Sequence, residues 1–417
     1  MLYSIFQWLE NTYDLSGAGL FKYITFRAGA AIIISLVISL LFGGRIIQFL
    51  RRQQIGETVR DLGLEGQKQK EGTPTMGGVI IIMAIIIPCL LLADLSNTYI
   101  LLMLLATTLM GVIGFIDDYI KVFLKNKEGL SGWFKILGQI LLGVIIALTM
   151  LWSDDITVRM ELDEAVAQGY TIVEEIQVEN DLGELIDYAY VKTTLTNVPF
   201  VKGNLFDYEY LLWFAGENSE SLVWLVFVPF VILVVTSVSN AANLTDGLDG
   251  LATGVSGIIG ITLAVLCYVS GNAIAAEYLN ILYLPGSSEL VIFSACFLGA
   301  CVGFLWYNSY PATVFMGDTG SLTLGGIIGA LAILIRKELL IPILCGIFVI
   351  ENLSVVLQVS YFKYTKRKYG EGRRIFKMSP LHHHYQKLGM SEVKIVTRFW
   401  IIGILLAVFT ILTLKIR

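Results

Sequence analysis

The sequence predicts an all-α polytopic membrane protein of about ten transmembrane helices with both termini extracytoplasmic. It also predicts a small acidic extracytoplasmic insertion of α/β or β content. Three observations support this. Apolar residues make up 56% of the 417 and charged residues 15%, against about 25% charged in a soluble domain; mean hydropathy is +0.73. The apolar residues gather in stretches near the ~20 residues that cross ~30 Å of hydrocarbon. The charge is divided: residues 153–220 hold fifteen Asp or Glu and three Lys or Arg, a net of −12, whereas the rest of the chain is +7.

The elements follow in order. "MLYSIFQWLENTYDLSG" lacks the basic start of a leader, and Tyr3, Phe6 and Trp8 suit an interfacial segment. The predicted spans are 25–44, 77–95, 98–116, 133–152, 221–240, 250–270, 289–307, 319–335, 339–361 and 396–414. Residues 1–417 form one transmembrane domain, with 153–220 inserted in it. That insertion mixes β-branched and acidic residues, which predicts strand content. Cys89, Cys267, Cys296, Cys301 and Cys345 fall inside spans and make no CxxC pair, so they read as small buried residues. No repeat of the inverted-topology transporter kind occurs.

Positive charge marks cytoplasmic loops. Arg45, Arg51, Arg52, Arg60, Lys68 and Lys70 follow the first span. Lys121, Lys125, Lys127 and Lys135 follow the third. Lys363, Lys366, Arg367, Lys368, Arg373, Arg374 and Lys377 follow the ninth. Only Arg336–Lys337, after the eighth, disagrees. This orientation puts the insertion outside and five polar motifs inside: "GTPTMGG" (72–78), "GFIDDYIK" (114–121), "NLTDGLDGL" (243–251), "WYNSYPATVFMGDTGS" (306–321) and "MSPLHHHYQ" (378–386). A bundle gathers these loops at one membrane face. The separation also predicts that a short linker replacing 154–219 leaves the chemistry intact.

Asp117, Asp118, Asp246, Asp249 and Asp318 would then share a small volume. Like charges so placed raise one another's pKa. A hard divalent cation such as Mg2+, which takes carboxylates, waters and phosphate oxygens, relieves this. Lys70, Lys121 and the histidines offset more charge. Adjacent Asp117 and Asp118 point about 100° apart on a helix, so their roles differ. "GDTGS" opening a span presents free N–H groups to an anion, and Asp318 beside it suggests metal-bridged phosphate. Taken singly, "DD" at a helix end is solvated charge, "DGLDG" is a turn and Lys70 is a topology signal. Glu351 and Asn352 read equally as interhelical glue or as a site wall.

In these motifs the sequence resembles the phospho-N-acetylmuramoyl-pentapeptide transferases, within the polyprenyl-phosphate sugar-1-phosphate transferase superfamily. "GTPTMGG", "DDYIK", "NLTDGLDGL", "VFMGDTGSL" and "PLHHHYQ" stand in the family's order, and the resemblance covers everything except about 153–220, where the family has a shorter loop. It implies transfer of phospho-N-acetylmuramoyl-pentapeptide from UDP-N-acetylmuramoyl-pentapeptide to undecaprenyl phosphate, giving lipid I and UMP. It implies Mg2+ as cofactor, a bacterial cytoplasmic (inner) membrane location, a cytoplasm-facing site, a homodimer as a further partner and no nucleic acid. The implied roles are metal binding by Asp318 with Asp118 or Asp249, and proton acceptance by Asp117. Lys70 and Lys121 bind phosphates. Thr75, Asn243, Asp246, Asp249 and Asn308 contact substrate, and Phe315 stacks on uracil. His382, His383 and His384 line the diphosphate side. A UDP-N-acetylhexosamine transferase, an ion-coupled transporter and an intramembrane aspartyl protease are the alternatives. The last two require charges at mid-span, where these motifs have none.

Overall fold

The computed structural model describes residues 2–13, 17–53, 70, 72–126, 128–179, 185–201 and 203–415. Arg60, Lys68 and Lys127, used above for orientation, lie outside the described residues. All ten apolar stretches are helical. They form α2 (Ile24–Arg52), α3 (Gly78–Leu92), α4 (Thr98–Val122), α5 (Gly132–Trp152), α8 (Trp224–Thr245), α9 (Leu251–Ser270), α11 (Leu290–Asn308), α12 (Gly317–Leu334), α13 with α14 (Ile341–Leu344, Gly346–Tyr369) and α16 (Glu392–Thr413). Short helices α1 (Leu2–Tyr13), α6 (Leu162–Gln168), α7 (Ser219–Leu222), α10 (Ala273–Leu279) and α15 (Leu381–Lys387) join them.

Two spans differ from expectation. Among the described residues, eight helices meet the length and hydropathy of a full span, and a ninth is a pair bent by 77° between Glu338–Leu344 and Gly346–Tyr369. The break falls at Cys345, whose φ −90° and ψ 24° lie outside the α-helical well. The second expected span, α3, is only 15 residues and stops at Leu92. Asp94 ends it by accepting the Ser96 N–H at 3.0 Å, and Asn97 then caps α4 through the Ile100 N–H at 3.3 Å.

Helix α12 is the axis of the fold. Every residue from Thr319 to Leu334 is buried, and α12 packs mainly on α4 and α8. Helix α11 packs on α2, α3 and α9. Hydrophobic positions all round α12 suit a helix enclosed by others.

The insertion has the expected strand content. Strands β1 (Val158–Glu161), β2 (Thr171–Glu179) and β3 (Leu185–Lys192) form an antiparallel sheet in the order β1-β3-β2. Strands β4 (Leu195–Asn197) and β5 (Leu205–Asp207) form a second. The insertion is not loosely tethered. The Arg336 carbonyl accepts from the Asn197 N–H and the Thr196 hydroxyl, each at 3.0 Å. Lys337 Nζ donates to Asn197 Oδ1 at 2.5 Å, and the Tyr208 hydroxyl donates to Glu338 at 2.8 Å. The insertion therefore grips the end of α12 opposite Asp318, about 27 Å away at 1.5 Å per residue.

Candidate active site

Asp117 and Asp118 end α4, and their divergence on the helix gives them different partners. Asp118 turns to the start of α12. Its Oδ1 accepts the Asp318 N–H at 3.0 Å, and its Oδ2 accepts the Thr319 N–H at 2.8 Å and the Thr319 hydroxyl at 2.6 Å. A carboxylate from one helix thus caps the N-terminus of another, satisfying orphan N–H groups and complementing the dipole. Glycines permit the approach. Gly317 has φ +71°, and a Cβ there would meet Asp118 Oδ2 at 2.4 Å. A Cβ on Gly114 would meet the Asp318 carbonyl at 2.3 Å, and one on Gly78 would meet the Gly320 nitrogen at 2.1 Å. The glycines of "TMGG", "GFIDD" and "MGDTG" are one device that lets α3 and α4 close on α12.

Asp117 turns to two lysines. Lys121, one helical turn on, lies 2.5 Å from Asp117 and 3.1 Å from Asp318. Lys135, in the first turn of α5, lies 2.8 Å from Asp117 and 2.5 Å from Asp318. Asn243 Nδ2 donates to Asp318 Oδ1 and to the Ser321 hydroxyl, each at 2.9 Å. One oxygen from each of Asp117, Asp118 and Asp318 fits within 4.8 Å. This all-oxygen set suits a hard divalent cation. Asp117 is wholly buried, whereas the Asp318 side chain is 16% exposed. Asp318 is thus the most open of the three carboxylates.

A second group lies beside this one. Lys70 Nζ donates to Asp249 Oδ1 at 2.7 Å and to Glu392 Oε1 at 2.6 Å. Asp249 Oδ2 accepts the Ala312 N–H at 3.0 Å. The Lys70 ammonium is 6.0 Å from the centre of the Phe315 ring. Phe315 is fixed by its backbone, donating to the Pro74 carbonyl at 2.8 Å and accepting from Gly77 at 2.9 Å. Thr75 is buried in that pairing. Burial pulls the Lys70 pKa down, but Glu392 and Asp249 outweigh it and hold the ammonium above its ordinary value.

The histidines divide. His382 is buried, with Nδ1 3.0 Å from Glu351 and its ring against Gly247, where a Cβ would meet Nε2 at 2.2 Å. Glu351 is therefore interhelical glue, and His382 docks the 246–250 loop. His383 Nδ1 meets Gln386 at 2.8 Å. Burial first, and then His382, push the His383 pKa down to about 4. Gln386 Oε1 can only accept, so His383 Nδ1 is the donor in that bond and Nε2 is left for a further partner. His384 Nδ1 accepts the Lys377 N–H at 3.1 Å.

The five motifs do meet at one end of the bundle, but not as a single carboxylate cluster. Asp249 pairs with Lys70, away from the Asp117–Asp118–Asp318 group, because the 246–250 loop faces α16. Asp246 caps the end of α8, its N–H donating to the Asn243 carbonyl at 3.2 Å. Asn308 is a brace: its Oδ1 accepts from Gly250 and Thr253, and its Nδ2 donates to the Val314 carbonyl. These bonds hold the buried amide between the 246–250 loop and the α11–α12 loop. Lys135 and Glu392 were missed. Lys135 reads as one more loop cation and Glu392 as a solvated helix-start acid.

A buried carboxylate group under two lysines, at one end of a multi-span bundle, suits a membrane protein that handles charged, phosphate-bearing molecules. The model of the glycosyl transferase family 4 matches residues 184–336, and the phospho-N-acetylmuramoyl-pentapeptide-transferase signature 1 matches residues 70–82. Proteins named phospho-N-acetylmuramoyl-pentapeptide-transferase are similar over the full length of both chains. The protein of Flavobacterium psychrophilum is 57% identical over 417 residues, that of Parabacteroides distasonis 57% over 431, and that of Porphyromonas gingivalis 54% over 431. The chain belongs to the phospho-N-acetylmuramoyl-pentapeptide-transferase family.

Proposed function

We propose that this protein transfers phospho-N-acetylmuramoyl-pentapeptide from UDP-N-acetylmuramoyl-pentapeptide to undecaprenyl phosphate, giving lipid I and UMP. A lipid phosphate oxygen bonds to the donor's β-phosphorus, and the bond from that phosphorus to the α-phosphate bridge oxygen breaks. The observation that carries this reading is the placement of Lys121 and Lys135 between Asp117 and Asp318, beside the Lys70–Phe315 group. Phosphoryl transfer asks mainly for positioning and neutralisation of charge. Lys121 and Lys135 bind phosphate oxygens, and Phe315 and Lys70 take the nucleotide side. Asp318, with Asp118 beside it, would hold Mg2+, and the ion would supply neutralisation of charge on the diphosphate. Asp249 serves as the partner of Lys70 and not as a ligand. Asp117, buried between its lysines, orients them and is the group placed to take the lipid phosphate's proton once substrate enters. His382 positions the 246–250 loop, while His383 and His384 face the diphosphate. Basic loops at this end favour the cytoplasmic side of the inner membrane, where a soluble nucleotide and a lipid meet.

The test is lipid I formation by the full chain in nanodiscs. UMP release with UDP-N-acetylmuramoyl-pentapeptide is expected, abolished by EDTA and restored by Mg2+. Turnover with a UDP-N-acetylhexosamine alone, or turnover indifferent to EDTA, overturns the reading.

A further inference from the structure

We infer that Glu392, in the first turn of α16, is a positioning residue for the nucleotide donor: it fixes Lys70 and the 246–250 loop in the arrangement the donor meets. The inference rests on the proposed transferase reading. A single oxygen makes both contacts, since Glu392 Oε1 accepts from Lys70 Nζ at 2.6 Å and from the Asp249 N–H at 2.7 Å. Asp249 closes the ring through its own bond to Lys70, and extends it to the Ala312 N–H. Four segments remote in sequence meet in this ring: the approach to α3, the α8–α9 loop, the α11–α12 loop and the head of α16. Two of them carry Lys70 and Phe315.

The arrangement is unlike that of an ordinary helix-start carboxylate, which sits in water. The Glu392 side chain is 9% exposed and faces inward. An ammonium has three donors. Two of them are taken by Asp249 and Glu392, so the third has a defined direction. Preorganisation of this kind raises affinity by removing an ordering cost at binding.

Charge and geometry predict opposite outcomes for removing Glu392. Asp249 and Glu392 together place two negative charges on one ammonium, an unfavourable balance for attracting an anionic donor. If Glu392 acted by charge alone, its loss would tighten donor binding. If it acts by position, its loss weakens binding, and a neutral side chain that keeps the oxygen restores part of the affinity.

The experiment measures KM and kcat for UDP-N-acetylmuramoyl-pentapeptide with full-length wild type, Glu392→Ala, Glu392→Gln and Glu392→Asp. Thermal unfolding and calorimetric affinity for UDP are measured on the same samples. Glu392→Ala is expected to raise KM about tenfold, as for loss of charge-assisted bonds, with kcat falling less than about threefold. Glu392→Gln falls between wild type and alanine in KM, and UDP affinity follows the same order. An unchanged or lower KM in Glu392→Ala overturns the inference. So does a loss of kcat that tracks the melting temperature at constant KM. Should the alanine variant fail to fold, Glu392→Gln and Glu392→Asp carry the comparison, and a KM at or below wild type in both overturns it. Wild type inactive with this donor overturns the function itself along with the inference. Active wild type with an unmoved KM in the variants overturns the inference alone.

Discussion

Helix α12 ends in charge at both ends, and the two ends differ in access. At its start Asp318 meets Lys121 and Lys135, whose side chains are 35% and 18% exposed. Past its end Arg336, Lys337 and Glu338 are sealed, each 3% exposed or less. The open group joins charged residues from distant parts of the chain, whereas the closed one is a run of three neighbours met by uncharged residues of the insertion. At the start, open lysines share their carboxylates and leave a face for a ligand. Past the end, protein fills that face: Asn197 and Tyr208 of the insertion bond the Lys337 and Glu338 side chains, Thr196 bonds the Arg336 carbonyl, and the Arg336 guanidinium lies over the Phe227 ring at 5.8 Å. Charge on a membrane helix is thus not sufficient to mark a site. A closed and internally bonded group is an anchor, and an open one is a candidate for chemistry.

The largest effect is expected from removing the anchor. Replacing 154–219 with a short linker strips Lys337 and Glu338 of their partners. Each hydrogen bond to a charged group contributes about 1.5–3 kcal/mol, and the bonds from Asn197 and Tyr208 are both lost. We expect a much lower melting temperature and poor yield, with the folded fraction turning over within a few-fold of wild type. A variant that melts normally contradicts the anchor. One that melts normally and is inactive also ties the insertion to the chemistry.

The open end should respond in the opposite way. Asp318→Asn is expected to lower turnover by about 10² to 10³, the scale of one lost electrostatic contact in a transition state. Its melting temperature stays within a few degrees, because the residue lies at a partly solvated edge. Near-normal turnover with intact Mg2+ dependence refutes the metal assignment.

The sequence showed the open end more clearly than the closed one, for a physical reason. Paired Asp117 and Asp118, the "GDTG" turn and the three histidines are rare in apolar surroundings, so they stand out locally. Their convergence followed from span counting and loop charge. Lys135 did not stand out, because its partner Asp117 is on the preceding helix and a lysine there already has a topological explanation. Glu392 was hidden likewise, 322 positions from Lys70. Arg336 and Lys337 contradicted the loop-charge pattern and were given little weight, yet they are buried. Their partners Thr196 and Asn197 are about 140 residues earlier, inside a segment read as separable. Each apolar stretch was legible as a helix, but not that Gly78–Leu92 would fall short of a full span. The 77° break near Cys345 was not legible either, since hydropathy runs unbroken across it.

The smallest effect separates the two ends most cleanly. Tyr208 is 2% exposed, and its hydroxyl donates to Glu338 at 2.8 Å. Tyr208→Phe keeps the ring in its contacts with Phe227 and Phe230 and removes only the donor. A hydrogen bond to a charged group contributes about 1.5–3 kcal/mol, so the variant should unfold a few degrees lower. Its KM and kcat should match wild type, because the change lies a full helix length from Asp318. Equal melting with altered kcat gives the opposite reading: α12 then transmits the state of its closed end to its open one. Unfolding and turnover measured on one preparation distinguish a passive anchor from a coupled one. The phenylalanine variant is the right probe, since it perturbs the anchor without emptying it.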